Sequence, residues 1–67
     1  VSWDPQVGET WRVQAFDGKG TRRTYLLLQD QGQDSNYFHF VGLDLELGGT
    51  WRVSILNAPT YAWERLA

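Results

Sequence analysis

The chain has no cysteine and a single histidine among its 67 residues. Disulfides and thiolate metal sites are therefore excluded, and so is a multi-histidine metal centre. No run approaches the roughly 18 apolar residues of a membrane-spanning helix, so no membrane segment is expected. No basic stretch followed by an apolar one opens the sequence, so no signal peptide is expected either. With the lack of cysteine, this makes the cytoplasm the expected location. A net charge of −2 has the wrong sign for a general nucleic-acid binder, since such proteins are usually basic.

Aromatic side chains are abundant: four Trp, three Tyr and three Phe. Each such ring buries roughly 150–250 Å². A chain this short has a thin margin of stability, and without disulfides or metals it must rely on aromatic packing or association. A single small domain over residues 1–67 is expected.

The segment Gly8-Glu9-Thr10-Trp11-Arg12-Val13 recurs as Gly48-Gly49-Thr50-Trp51-Arg52-Val53. Each copy reads as a glycine turn followed by a strand. Too little chain follows the second copy for a tandem array, so the similarity reads as a truncated second copy or as two strands with convergent chemistry, the latter preferred. Thr10 to Phe16 alternates with the period of a half-buried strand. Asp17-Gly18-Lys19-Gly20 is a turn, and Thr21 to Gln29 a second strand, apolar on both faces at Tyr25-Leu26-Leu27-Leu28. Asp30 to Asn36 reads as a polar loop. A third strand runs from Tyr37 to Leu47, with Gly42 as a bulge or bend, and a fourth from Thr50 to Leu56.

A three-residue loop at Leu47-Gly48-Gly49 would pair Leu45 with Trp51, Leu43 with Val53 and Val41 with Ile55. It would also set Asp44 beside Arg52 on the outer face. The expected core is then Trp11, Val13, Leu27, Val41, Leu43, Leu45, Trp51, Val53 and Ile55. The tail offers two readings, a short helix capped by Asn57 or a fifth strand over Thr60 to Leu66. The strand is preferred because it completes a small barrel.

These elements predict an all-β fold, a small antiparallel barrel or strongly curved sheet of four to five strands. In architecture the pattern resembles small barrels of the SH3-like or oligonucleotide-binding (OB) type. The resemblance carries no family motif and transfers no functional residue.

Catalytic groups are scarce. His39 lies between Phe38 and Phe40 and reads as a partly buried histidine with one hydrogen bond in preference to a general base or pH switch. Ser2, Ser35 and Ser54 lack a nucleophile-elbow context. Asp30 and Asp34 do not have EF-hand spacing, so their loop reads as solvated rather than calcium-binding. No enzyme activity, catalytic residue, metal or cofactor is expected. Basic residues concentrate early, at Arg12, Lys19, Arg22 and Arg23, and acidic ones in the middle.

Aromatics and arginines dominate interface hot spots, and strands apolar on both faces call for cover, either from barrel closure and the tail or from a partner. The expected function is a non-catalytic interaction module for protein binding or homo-oligomerisation. The alternative is a small nucleic-acid-binding barrel, its first hairpin contacting phosphates while aromatics stack on bases. Both readings draw their binding residues from Arg12, Lys19, Arg22, Arg23, Tyr25, Phe38, Phe40 and Arg52.

Overall fold

In the computed structural model, which describes residues 4–14, 19–58 and 63–67, five strands form one antiparallel sheet. They are β1 (Thr10–Gln14), β2 (Arg22–Gln33), β3 (Tyr37–Asp44), β4 (Thr50–Leu56) and β5 (Trp63–Arg65). Their order across the sheet is β4-β3-β2-β1-β5. The first four strands form a meander, and β5 returns to lie beside β1. The described residues include no helix, and so none long and apolar enough to cross a membrane. The expected strand ends at Ala15 and Phe16, the turn at Asp17-Gly18, the lead-in at Val1 to Trp3 and the tail from Pro59 to Ala62 lie outside the described residues.

The sheet is strongly curved. Twelve residues of extended strand span about 40 Å, yet the largest dimension of the molecule is 27 Å. β2 must therefore bend, and it does so at two irregularities in its pairing with β3, between Leu27 and Gln29 and between Asp30 and Gln33. Bulges of this kind raise local twist. They also carry β2 beyond the expected strand end at Gln29. The stretch read as loop, Asp30 to Asn36, is strand as far as Gln33 and then a tight turn. Asp34 holds that turn, its Oδ1 accepting from the backbone N–H groups of Asn36 and Tyr37, both at 2.7 Å.

No backbone ladder joins the two edge strands, so the curl stops short of a closed barrel. A side chain bridges the gap: the Trp63 indole N–H donates to the Ser54 carbonyl at 3.3 Å. Where β5 pairs with β1, the Glu9 carboxylate receives the Trp11 indole N–H at 3.2 Å and faces Arg65 at 3.3 Å. The Arg65 guanidinium lies 5.4 Å from the Trp11 ring centroid, within cation–π range.

Inside the curl, the core consists of Trp11, Val13, Leu27, Phe38, Phe40, Val53 and Ile55, with Tyr25 and Trp63 packed against it. Five of these were expected. Val41 and Leu43 instead lie half-buried on the opposite face, and Leu45 and Trp51 are exposed.

The reason is register. β3 and β4 pair Leu43 with Thr50, Val41 with Arg52 and Phe40 with Val53. The connection is five residues, Leu45 to Gly49, rather than three. The shift from the expected pairing is an odd number of residues, so every side chain of β3 changes face. Phe38, Phe40, Gly42 and Asp44 now point inward. Asp44 is buried, its Oδ1 accepting from the N–H groups of Glu46 at 2.8 Å and Leu47 at 2.9 Å. Its Oδ2 lies 3.6 Å from Arg23. The expected pair between Asp44 and Arg52 does not form, because the two residues occupy opposite faces. Gly48 and Gly49, at φ of 78° and 80°, supply the left-handed backbone that this longer loop needs.

The irregularity expected at Gly42 lies opposite it, on β2 between Leu27 and Gln29. Gly42 itself pairs with Leu27 on one side and Trp51 on the other. A Cβ built there would come within 2.7 Å of Val53 Cγ2 and 3.1 Å of Tyr25 Cβ. Glycine is required because core side chains from two neighbouring strands meet over its backbone. Gly42→Ala is expected to lower stability by about 1–3 kcal/mol through overpacking. Urea denaturation measures it, and an unchanged midpoint would contradict the close approach.

Candidate interaction surface

The missing side chain at Gly42 shapes the surface beside it. Trp51, on the same face and next in register, is 55 % exposed and flanks an open cleft. Val13, Gln14, Tyr25, Trp51, Arg52, Val53 and Ser54 line a volume of about 170 Å³. Val13 and Val53 are buried core residues and supply apolar lining, while Tyr25 and Trp51 supply aromatic surface. The cleft lies along β4, on the side where the sheet fails to close.

Two further apolar side chains are exposed on the β3–β4 turn. Leu45 is 51 % and Leu47 68 % exposed. The Asx turn at Asp44 produces this outcome, since its two backbone donors set the path of the chain through Glu46 and Leu47. Leu45 is further tied to β2 by its N–H, which donates to the Thr24 carbonyl at 3.0 Å. Three large apolar side chains thus stand out on one hairpin.

Behind the cleft, burial pushes the Tyr25 phenol above its ordinary pKa, the Asp44 carboxylate adds to that, and Arg23 opposes it. Tyr25 therefore enters the cleft wall as a neutral phenol near neutral pH. The Leu47 N–H draws the Asp44 carboxyl below the usual carboxylate value, against the effect of burial, and Glu46 N–H and Arg23 assist.

The sequence-based binding residues are dispersed. Tyr25 and Arg52 line the cleft. Arg23 sits behind it, paired with Asp44. Arg12 and Arg22 are exposed on the other face of the first hairpin, Arg12 opposite Thr24 and Glu64, and Arg22 opposite Gln14. The Arg22-Arg23 doublet is thereby split between the two faces of the sheet. Lys19 is exposed in the connection between β1 and β2. Phe38 and Phe40 correct the expectation most sharply: both are core residues, so neither ring can stack on a base. Trp51, Leu45 and Leu47 were missed as surface residues. The available signal was Gly42, because a strand glycine marks close approach of other groups as well as bulges.

His39 makes two hydrogen bonds rather than one. Its Nε2 lies 2.9 Å from Asp34 Oδ2 and its Nδ1 3.0 Å from Ser54 Oγ. A carboxylate only accepts, so Nε2 carries a proton, and in the neutral ring Nδ1 accepts from the Ser54 hydroxyl. The nitrogens are exchanged relative to a hydrolase triad, in which the carboxylate holds Nδ1. The arrangement ties the β2–β3 turn to β4 across the outer face of the sheet. Among the described residues, no group of three or more His, Cys, Asp or Glu side chains could hold a metal ion.

Comparison with protein-family models, curated proteins and solved structures finds no match to this chain.

Asp34 is drawn down to about 2, first by the His39 hydrogen bond and then by the Asn36 and Tyr37 N–H groups. Asp44 is also depressed below its ordinary 3.8. Groups with depressed folded-state pKa values contribute stability above their unfolded values and lose it as pH falls through the folded ones. Urea midpoints should hold down to about pH 4 and fall toward about pH 2. Asp34→Asn and Asp44→Asn should each flatten that fall, and an equally steep decline in both variants would show that other groups govern it.

Proposed function

We propose that this chain is a non-catalytic interaction module that binds a protein, a second copy or a different chain, through the surface around Trp51. The observation that carries this reading is the exposure of Trp51, Leu45 and Leu47 on one hairpin beside an aromatic cleft. Large apolar side chains exposed together on a small domain point to an interaction site, and tryptophan and arginine are both enriched at interface hot spots. Arg52 follows Trp51 on β4, with its side chain on the outer face. Its N-terminal neighbour Trp51 and its paired residue Val41 are both apolar. The strand order supports an SH3-like architecture over an OB-like one. A four-strand meander whose last strand returns beside the first gives β4-β3-β2-β1-β5, whereas an OB fold is a Greek-key barrel.

A second reading, nucleic-acid binding, keeps one supporting observation. Arg12 and Arg22 are both exposed on the outer face of β1 and β2. It lacks the stacking rings first assigned to it, and Arg23 is engaged with Asp44.

Two measurements test the reading. Peptides selected from a displayed random library against the wild-type chain should lose binding to Trp51→Ala and keep it to Arg12→Ala with Arg22→Ala. Trp51→Ala should cost about 1 kcal/mol or less in stability, since the side chain is already half exposed. A chain that stays monomeric in sedimentation and enriches no binder would sink the proposal. Saturable, salt-sensitive tryptophan quenching by oligonucleotides would move the function to the second reading.

A further inference from the structure

We propose that the outer edge of β4, from Thr50 to Ser54, takes up an extended acidic–apolar peptide segment as an added strand. Its apolar side chains would enter the Tyr25–Trp51 cleft and a carboxylate would meet Arg52. The proposal rests on the interaction-module reading and names the partner of that surface.

The hydrogen-bond phase of the β3–β4 ladder fixes which backbone groups are available. Asp44 N–H donates to Gly49 O at 2.9 Å, and Asn57 N–H donates to Asn36 O at 2.8 Å. Both pairs fit the observed register. In an antiparallel pair, hydrogen-bonded positions alternate with non-bonded ones. Trp51, Val53 and Ile55 therefore direct their N–H and C=O groups to β3, while Thr50, Arg52 and Ser54 direct theirs away from the sheet. The Ser54 carbonyl agrees with this phase, since it faces outward to receive the Trp63 indole. Among the described residues, no backbone hydrogen bond engages the outward groups of Thr50 and Arg52 or the Ser54 N–H.

An edge of this kind is normally blunted by charges, proline or bulges. The strand Thr50-Trp51-Arg52-Val53-Ser54-Ile55-Leu56 has one charge, no proline and regular pairing along its length. Its outward groups lie directly beside the cleft, which Trp51, Arg52, Val53 and Ser54 help to line. Peptides that add to a sheet edge draw affinity from the backbone ladder and specificity from pockets for alternate side chains.

Register gives the chemistry of the partner. Residues directly opposite one another in a ladder share a face. A guest residue opposite Trp51 or Val53 falls on the cleft face and is apolar. One opposite Arg52 falls on the outer face, where Arg52 makes no ion pair with any described residue, and is acidic. A second copy of this chain fits poorly. Two-fold pairing centred on Arg52 sets like charges opposite each other, pairing centred on Val53 needs the Ser54 carbonyl already engaged by Trp63, and pairing centred on Trp51 sets Arg52 opposite Thr50 and supplies it no carboxylate.

The test is an NMR titration of the isotope-labelled wild-type chain to millimolar concentration with three capped pentapeptides. One alternates valine and aspartate, one replaces aspartate by lysine, and one is the aspartate peptide N-methylated at its ladder-forming amides. The aspartate peptide should shift and protect the amides of Thr50, Arg52 and Ser54 and move the Trp51 indole signal. The lysine peptide should bind about tenfold more weakly. Methylation should abolish the shifts, and Arg52→Gln should bring the aspartate and lysine peptides to equal affinity. Shifts at Leu45, Leu47 and Trp51 without any at Thr50, Arg52 and Ser54 would overturn strand addition and leave the interaction-module reading standing. Binding that tolerates methylation, equal affinity of the two charged peptides for the wild type, or no shift with any peptide would each overturn it as well.

Discussion

Asp44 is buried at 2 % exposure with both carboxylate oxygens engaged, and the course of the chain between β3 and β4 follows from that position. A buried carboxylate is tolerated only where hydrogen bonds and a counter-charge replace its water. Two backbone donors from the turn and the Arg23 guanidinium do so here. The turn cannot shorten without losing those donors, so the five-residue loop and the register of the hairpin are coupled to the inward side chain. Phe38 and Phe40 then fall on the core face, and Gly42 lets Tyr25 and Val53 close over it. Leu45, Leu47 and Trp51 are left at the surface. The candidate site is in this sense a consequence of where one charge is satisfied.

Strand content was legible from period-2 alternation and glycine turns, while the fifth strand was preferred over a helix only because it would complete a barrel, and β5 is described over Trp63–Arg65. Face assignment was not. Tyr37 to Val41 is apolar at nearly every position, so pattern alone allows either set to face inward. The strict alternation of Leu43, Leu45 and Leu47 tipped the reading the wrong way, since the last two are turn residues rather than strand. What separates the two registers is the ability of Asp44 to satisfy its oxygens from its own turn, which a hydropathy pattern does not record. The candidate site was obscured for the same reason. Tyr25 and Arg52 were identified, while Trp51 was placed in the core and Phe38 and Phe40 on the surface.

The repeated hexapeptide shows how much strand position matters. Trp11 and Trp51 begin the same Thr-Trp-Arg-Val run on strands that start alike. β1 has neighbours on both sides and a glutamate next to the tryptophan side chain, so Trp11 is fully buried and its indole N–H is bonded. β4 is an edge strand led by Gly48-Gly49, and its tryptophan stands in the open. Local sequence supplies a strand and an aromatic ring. The neighbours decide whether that ring belongs to the core or to the surface.

The bridge from Trp63 to Ser54 has a further consequence, for the order in which the molecule comes apart. β5 is three residues long, is hydrogen-bonded to one neighbour and reaches the far edge of the sheet by a single indole contact. Elements with few ladder bonds open at low free energy, ahead of the global transition. The seam is accordingly the weak point of the curl. Opening of β5 from β1 would part the seam and release the Ser54 carbonyl while the β2–β3–β4 meander stayed intact. The same event would lengthen the open edge of β4 by one acceptor, so that opening of β5 and the strand addition proposed for β4 would be thermodynamically linked.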